Sequence, residues 1–290
     1  MKLAVYWGCF VPTTQYAYEL SVREVLPKLG FELVDLDNVS CCGTPIKSVN
    51  MYASLYLAAR NLAIAEKLGF NNLLTICNGC HLTFSEAMHY LGQNEDLRGK
   101  INSLLSEEDL EYRGSLRILH IIDLLHDTIE AETIQKSVKR RLHGLKLASQ
   151  YGCHILRPSK LGRVDHPENP RKLDDLIGLL GAESVDYPEK LDCCGALLML
   201  SHPDAALTFA GLKIKAVQDR GADGLVVSCP SCHRMFDERQ KSAGATIGSK
   251  LNLPVLYYTQ LLGFTMGIEA EKLGLHLNRS PVDELLEKIS

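Results

Sequence analysis

Asn72-Leu73-Leu74-Thr75-Ile76-Cys77-Asn78-Gly79-Cys80-His81 reads as an apolar strand running straight into a Cys-x-x-Cys pair. A shift of 152 residues lays Cys77 and Cys80 on the Cys229 and Cys232 of Gly224-Leu225-Val226-Val227-Ser228-Cys229-Pro230-Ser231-Cys232-His233. The same shift places Cys41-Cys42-Gly43 on Cys193-Cys194-Gly195, with 34 residues between the adjacent pair and the Cys-x-x-Cys in both copies. Further upstream stand Cys9 and Cys153, separated from their pairs by 31 and 39 residues. This grouping uses all ten cysteines of the 290-residue chain. Buried structural cysteines scatter, so an array repeated with this regularity points to two metal-binding sites in a duplicated protein.

The residues around the cysteines repeat too. An apolar run over 3–6 leads into Gly8-Cys9, and a similar run over 146–151 leads into Gly152-Cys153. Helices are expected over 14–29 and 170–180, because Gly30 and Gly181 supply the usual stop signal just past the last turn. Short strands over 32–36 and 184–187 come next, then the loops with the paired cysteines. Long helices over 53–68 and 205–220 stop at Gly69 and Gly221 and lead into strands over 72–76 and 224–227. This alternation predicts an α/β protein of two pseudo-symmetric domains, residues 1–143 and 144–290. Each would be a parallel sheet flanked by helices, with the cysteine loops at the strand carboxyl ends. Insertions near 93–115 and 156–170 break the symmetry; one is expected to shape a substrate mouth and the other a partner surface. Residues 128–144 read as a charged helical linker.

Composition narrows the class. With 46% hydrophobic and 23% charged residues, the chain can bury cores for two domains. A formal charge of -4 and no basic run argue against a nucleic-acid surface. No signal-peptide pattern opens the sequence, and the longest uncharged run, 251–268, suits a buried strand and helix better than a membrane span. The expectation is a soluble cytoplasmic protein, where cysteines serve as ligands or redox groups more often than as disulfides.

Four chemistries compete for the array. Zinc takes four tetrahedral ligands, and each half offers five thiols, two of them adjacent and poorly suited to chelate one ion. Cys77-x-x-Cys80-His81 and Cys229-x-x-Cys232-His233 match the attachment pattern of c-type haem, but six cysteines are then idle. Thiol–disulfide exchange by the Cys-x-x-Cys pairs likewise ignores the others. Iron–sulfur clusters fit best, because different irons of one cluster can take adjacent cysteines. Helix starts near Cys80 and Cys232 would add backbone N–H groups that stabilise an anionic cluster. Five thiolates remain one more than an ordinary cubane uses, so either one cysteine per half is free or the cluster is unusual.

The repeated Cys…Cys-Cys-Gly…Cys-x-x-Cys pattern resembles the cysteine-rich CCG domain family. Nearly the whole chain is similar to the B-type subunits of heterodisulfide reductase, including Tyr151-Gly152-Cys153-His154, Arg157-Pro158 to Pro167-Glu168-Asn169-Pro170, and the closing Pro281-Val282-Asp283-Glu284-Leu285-Leu286. The 34-residue spacing is about one residue shorter than the family pattern, equally in both halves, as a shorter loop would make it. The resemblance implies two noncubane 4Fe–4S clusters. One would use Cys9, Cys41, Cys42, Cys77 and Cys80; the other Cys153, Cys193, Cys194, Cys229 and Cys232. It also implies reduction of the coenzyme M–coenzyme B disulfide to two thiols. Electrons would come from the cubane iron–sulfur subunit and the flavin subunit of a heterodisulfide reductase and, through the complex, from hydrogenase or formate dehydrogenase. A substrate with sulfonate, phosphate and carboxylate groups calls for cations, and Lys47, Arg157, Lys160, Arg163 and Arg234 lie near the cluster loops; each is otherwise an ordinary solvated charge. His154 is a candidate proton donor to a departing thiolate, whereas His81 and His233 suit helix starts or the core. The alternative function is electron transfer, since CCG domains also occur in succinate/fumarate, lactate/glycolate and glycerol-3-phosphate oxidoreductases.

Overall fold

Leu3, Ala4, Val5 and Tyr6 are all buried, as the central strand of a parallel sheet covered on both faces requires. The structure, a computed structural model, describes residues 1–161 and 164–289. In the first half, β1 (Lys2–Tyr6) lies between β2 (Glu32–Asp35) and β3 (Asn72–Thr75), and β4 (Arg117–His120) closes the far edge. All pairings are parallel, with Val5 opposite both Asp35 and Leu74. The second half repeats the order with β5 (Lys146–Gln150), β6 (Glu183–Val185), β7 (Gly224–Val227) and β8 (Val255–Tyr257). The α/β reading therefore holds, with two four-stranded parallel sheets flanked by helices.

Helix positions follow the glycine signals closely. The long helices run Met51–Lys67 and Pro203–Asp219, one turn or less from expectation. The first expected helix is broken: Val11–Thr14 is a short turn, and Tyr16–Lys28 follows after Gln15 leaves helical geometry. In the supposed linker Thr128 ends the π-helical turn Leu124–Thr128, an α-helix runs Ala131–Ser137, and the chain over 138–144 is irregular. Lys139 and Arg140 there donate backbone N–H groups to Thr265 O, so tertiary contacts replace the helical ladder.

The two sheets share much of their packing. Val22, Val25 and Leu26 of the Tyr16–Lys28 helix belong to the same buried cluster as Leu261 and Leu262 of Tyr258–Thr265. Polar bonds also join the halves. Tyr18 donates to Ser228 O at 3.0 Å, Asn78 Nδ2 to Tyr151 O at 2.6 Å, and Gln15 Nε2 to Glu238 Oε1 at 2.7 Å. The first two are buried, and such bonds fix orientation because losing one partner leaves the other unsatisfied. They hold the carboxyl ends of the two sheets against each other.

Candidate functional site

Each cysteine follows from its strand. Cys9 and Cys153 come just after β1 and β5, the adjacent pairs after β2 and β6, and Cys77 and Cys229 after β3 and β7. Cys77 and Cys229 have extended backbone and cap the helices Asn78–Gln93 and Pro230–His233 without a side-chain hydrogen bond. Pro230 opens its helix, where its missing N–H costs nothing.

All ten cysteines line one cavity of about 490 Å³ between the two halves. None is paired in a disulfide. As free thiols nine of them, all but Cys9, form a chain of interacting neighbours: Cys41 with Cys42, Cys42 with Cys80, Cys80 with Cys77, Cys77 with Cys229, Cys229 with Cys232, Cys232 with Cys194, Cys194 with Cys193 and Cys193 with Cys153. The Cys77–Cys229 link crosses from one half to the other. Among the described residues, no group of three or more His, Cys, Asp or Glu side chains is arranged to hold a single metal ion.

The chain favours anions at intervals. Hydrogen bonds from Cys41 and then Cys80 pull the Cys42 thiol down to about 3. Those from Cys153 and Cys194 pull Cys193 down to about 2, and those from Cys232 and Cys77 hold Cys229 well below its usual value. The backbone N–H of Gly195, 3.3 Å from the Cys193 sulfur, adds to this, and in the first half Gly43 N lies 3.5 Å from the sulfur of Cys41. Donors aimed at thiolates are what an iron–sulfur cluster needs around its ligands. The loops also come as close as they can. A Cβ at Gly8 would stand 3.2 Å from the Cys80 sulfur, and one at Gly152 3.3 Å from that of Cys232. Five thiols per half, backbone donors and glycine-lined walls fit such a cluster in each half.

Other expected site residues divide. His154 lines the cavity, close enough to the first half that a Cβ at Gly79 would stand 3.6 Å from its Nδ1. Arg234 lines it as well, its guanidinium 5.5 Å from the centre of the Phe10 ring. Lys47 is not in the wall, and its Nζ is taken by Glu86 at 2.8 and 3.0 Å. Arg157 is exposed and donates to Pro167 O at 3.3 Å, and Lys160 is exposed outside the cavity. Arg163 lies outside the described residues. Burial pushes His81 and His233 down to about 4, which keeps both imidazoles neutral in the core.

Three residues escaped sequence reading. Arg239 lines the cavity, brought beside Arg234 by the π-helical turn Arg234–Glu238, in which Arg239 N bonds Arg234 O at 3.2 Å. A five-residue spacing looks like opposite faces of an α-helix, so the signal was absent. Lys213 is almost fully buried behind the second set of cysteines, on a helix whose apolar stripe hid it. Burial pushes its ammonium down to about 8, against the pull of Cys232 and Cys194. Its neighbour Gln150 closes β5 and points Nε2 at the Cys232 sulfur, 3.9 Å away.

Comparison with known proteins agrees with this geometry. Residues 3–85 and 147–237 each match the cysteine-rich domain called CCG. The chain is 35% identical, over 99% of its length and 97% of the relative's, to the B-type subunit of the ferredoxin/F(420)H(2)-dependent CoB-CoM heterodisulfide reductase of Methanosarcina acetivorans. It is 31% identical, over 96% of each, to the 8-methylmenaquinol:fumarate reductase membrane anchor subunit of Wolinella succinogenes. Among the described residues of this chain, no helix is long and apolar enough to cross a membrane. A hypothetical protein from Helicobacter pylori shares the fold, with a TM-score of 0.76 at 18% identity, covering 96% of this chain and 51% of that one. The chain thus belongs to the cysteine-rich CCG family and carries the family's domain twice.

Proposed function

We propose that the chain is the iron–sulfur catalytic subunit of a cytoplasmic heterodisulfide reductase complex, with a noncubane 4Fe–4S cluster in each half. Its relatives support the coarser statement, an iron–sulfur CCG subunit of a reductase that transfers electrons. The observation that carries the finer one is the meeting of both cysteine sets in one cavity, with Cys77 against Cys229.

Splitting a disulfide takes two electrons and leaves two thiolates. The bound clusters would supply those electrons, one from each side. The chain's own residues do the rest. Arg234 and Arg239 hold anionic groups of the coenzyme M–coenzyme B disulfide at the mouth, and His154 hands a proton to a departing thiolate. Trp7, Phe10, Leu197 and Met199 give the cavity an apolar lining that limits water around the reacting sulfurs. Partners follow from the same reading: the cubane iron–sulfur subunit and the flavin subunit of the reductase and, through them, a hydrogenase or formate dehydrogenase.

The iron-loaded protein, given a reduced viologen dye and the coenzyme M–coenzyme B disulfide, should oxidise the dye as the disulfide is consumed. Arg239→Met should raise KM for the disulfide on the order of tenfold with a smaller effect on kcat, the expected loss for one charge-assisted contact. A dye that stays reduced defeats the substrate assignment. The relative from Wolinella favours the second reading, an electron-transfer subunit of another oxidoreductase. Under that reading the clusters take electrons from the dye and pass them on without touching the disulfide.

A further inference from the structure

The repeat is symmetric in its cysteines and asymmetric behind them. Lys213 and Asn61 occupy equivalent places, 152 residues apart, on the long helices that precede β7 and β3. Both side chains are buried, at 1% and 0% exposure. Both grip the carbonyl just before the adjacent cysteines. Lys213 Nζ donates to Asp192 O at 2.5 Å, and Asn61 Nδ2 donates to Ser40 O at 3.2 Å. The structural task is shared and the charge is not.

Lys213 spends its three N–H donors on uncharged oxygens, the other two being Gln150 Oε1 at 2.7 Å and Lys190 O at 3.3 Å. It makes no ion pair with a carboxylate among the described residues. Gln150, held by that bond, turns its amide toward Cys232. The first-half counterpart of Gln150, at the same end of β1, is Tyr6, whose hydroxyl donates to Ser40 O at 2.7 Å. A neutral pair, Tyr6 and Asn61, thus stands where the second half has Gln150 and a buried cation.

We propose that Lys213 and Gln150 make the second half the easier of the two to reduce, so that an electron entering the protein settles there first. The inference rests on the cluster reading above. Reduction adds one negative charge to an iron–sulfur site. A fixed cation in a poorly screened interior favours that state, and a hydrogen bond to a ligand sulfur adds to it. The step is one electron passing from an external reductant such as dithionite to the second half; no bond forms or breaks and no proton moves.

A redox titration of the iron-loaded full chain, followed by EPR, reads the two halves. The variants Cys41→Ala with Cys42→Ala, and Cys193→Ala with Cys194→Ala, assign each signal. The second half should be reduced with an equilibrium at least tenfold more favourable, about 59 mV for one electron. Lys213→Met should remove most of that gap and leave the first-half signal where it was. Equal potentials, a first half that reduces more easily, or a Lys213→Met protein that keeps the gap would each overturn the proposal. If Lys213→Met loses iron from its own half, the wild-type titration decides alone. A wild-type chain without iron and sulfide fails the cluster reading instead, and elemental analysis tells the two failures apart.

Discussion

Replacing Cys193 and Cys194 together by alanine is expected to halve the iron and sulfide of the protein, from about eight of each per chain to about four. Both thiols lie in the chain that links Cys153 to Cys232, and Cys193 is the thiolate on which Cys153 and Cys194 converge. The first half keeps its own five thiols, so its cluster signal should survive. Cys41→Ala with Cys42→Ala should give the mirror result. Unchanged iron in either variant would show that the adjacent cysteines are not ligands.

The second large effect is on stability. Gly43 and Gly195 take φ values of +96° and +81°, a left-handed conformation that costs a residue with a Cβ ~1–2 kcal/mol. Space is also missing. A Cβ at Gly43 would stand 2.7 Å from Ser54 O, and one at Gly195 2.6 Å from Ala206 O, both backbone atoms of the long helices. Overpacking of that kind adds ~1–3 kcal/mol, so Gly43→Ala or Gly195→Ala should lose roughly 2–5 kcal/mol in chemical denaturation. Gly69 and Gly221 provide the control. Their φ values are +80° and +70° with nothing within 4 Å, so alanine there should cost only the conformational part. Equal losses at the crowded and open positions would contradict this account of the motif's glycine.

The cysteine pattern made the fold legible because its spacing tied each ligand to the end of a strand. Gly30, Gly69, Gly181 and Gly221 then marked where the helices stop. The edge strand β4 was harder to read, since Arg117-Ile118-Leu119-His120 is short and follows a polar insertion. Ligands were legible because cysteine chemistry is specific. The cations were not, because charge near a loop in sequence says little about direction in space. Lys47 turns to Glu86, while Arg239, farther along the chain, reaches the cavity through a π-helical turn. Lys213 was hidden for another reason: a lysine two residues before Lys215 on a helix reads as a surface residue until its three oxygen acceptors are seen.

The central claim is that the ten thiols hold two iron–sulfur clusters. Elemental and acid-labile sulfide analysis of the anaerobically purified full chain tests it most directly. About eight iron and eight sulfide per chain are predicted; zinc bound without sulfide would contradict the claim.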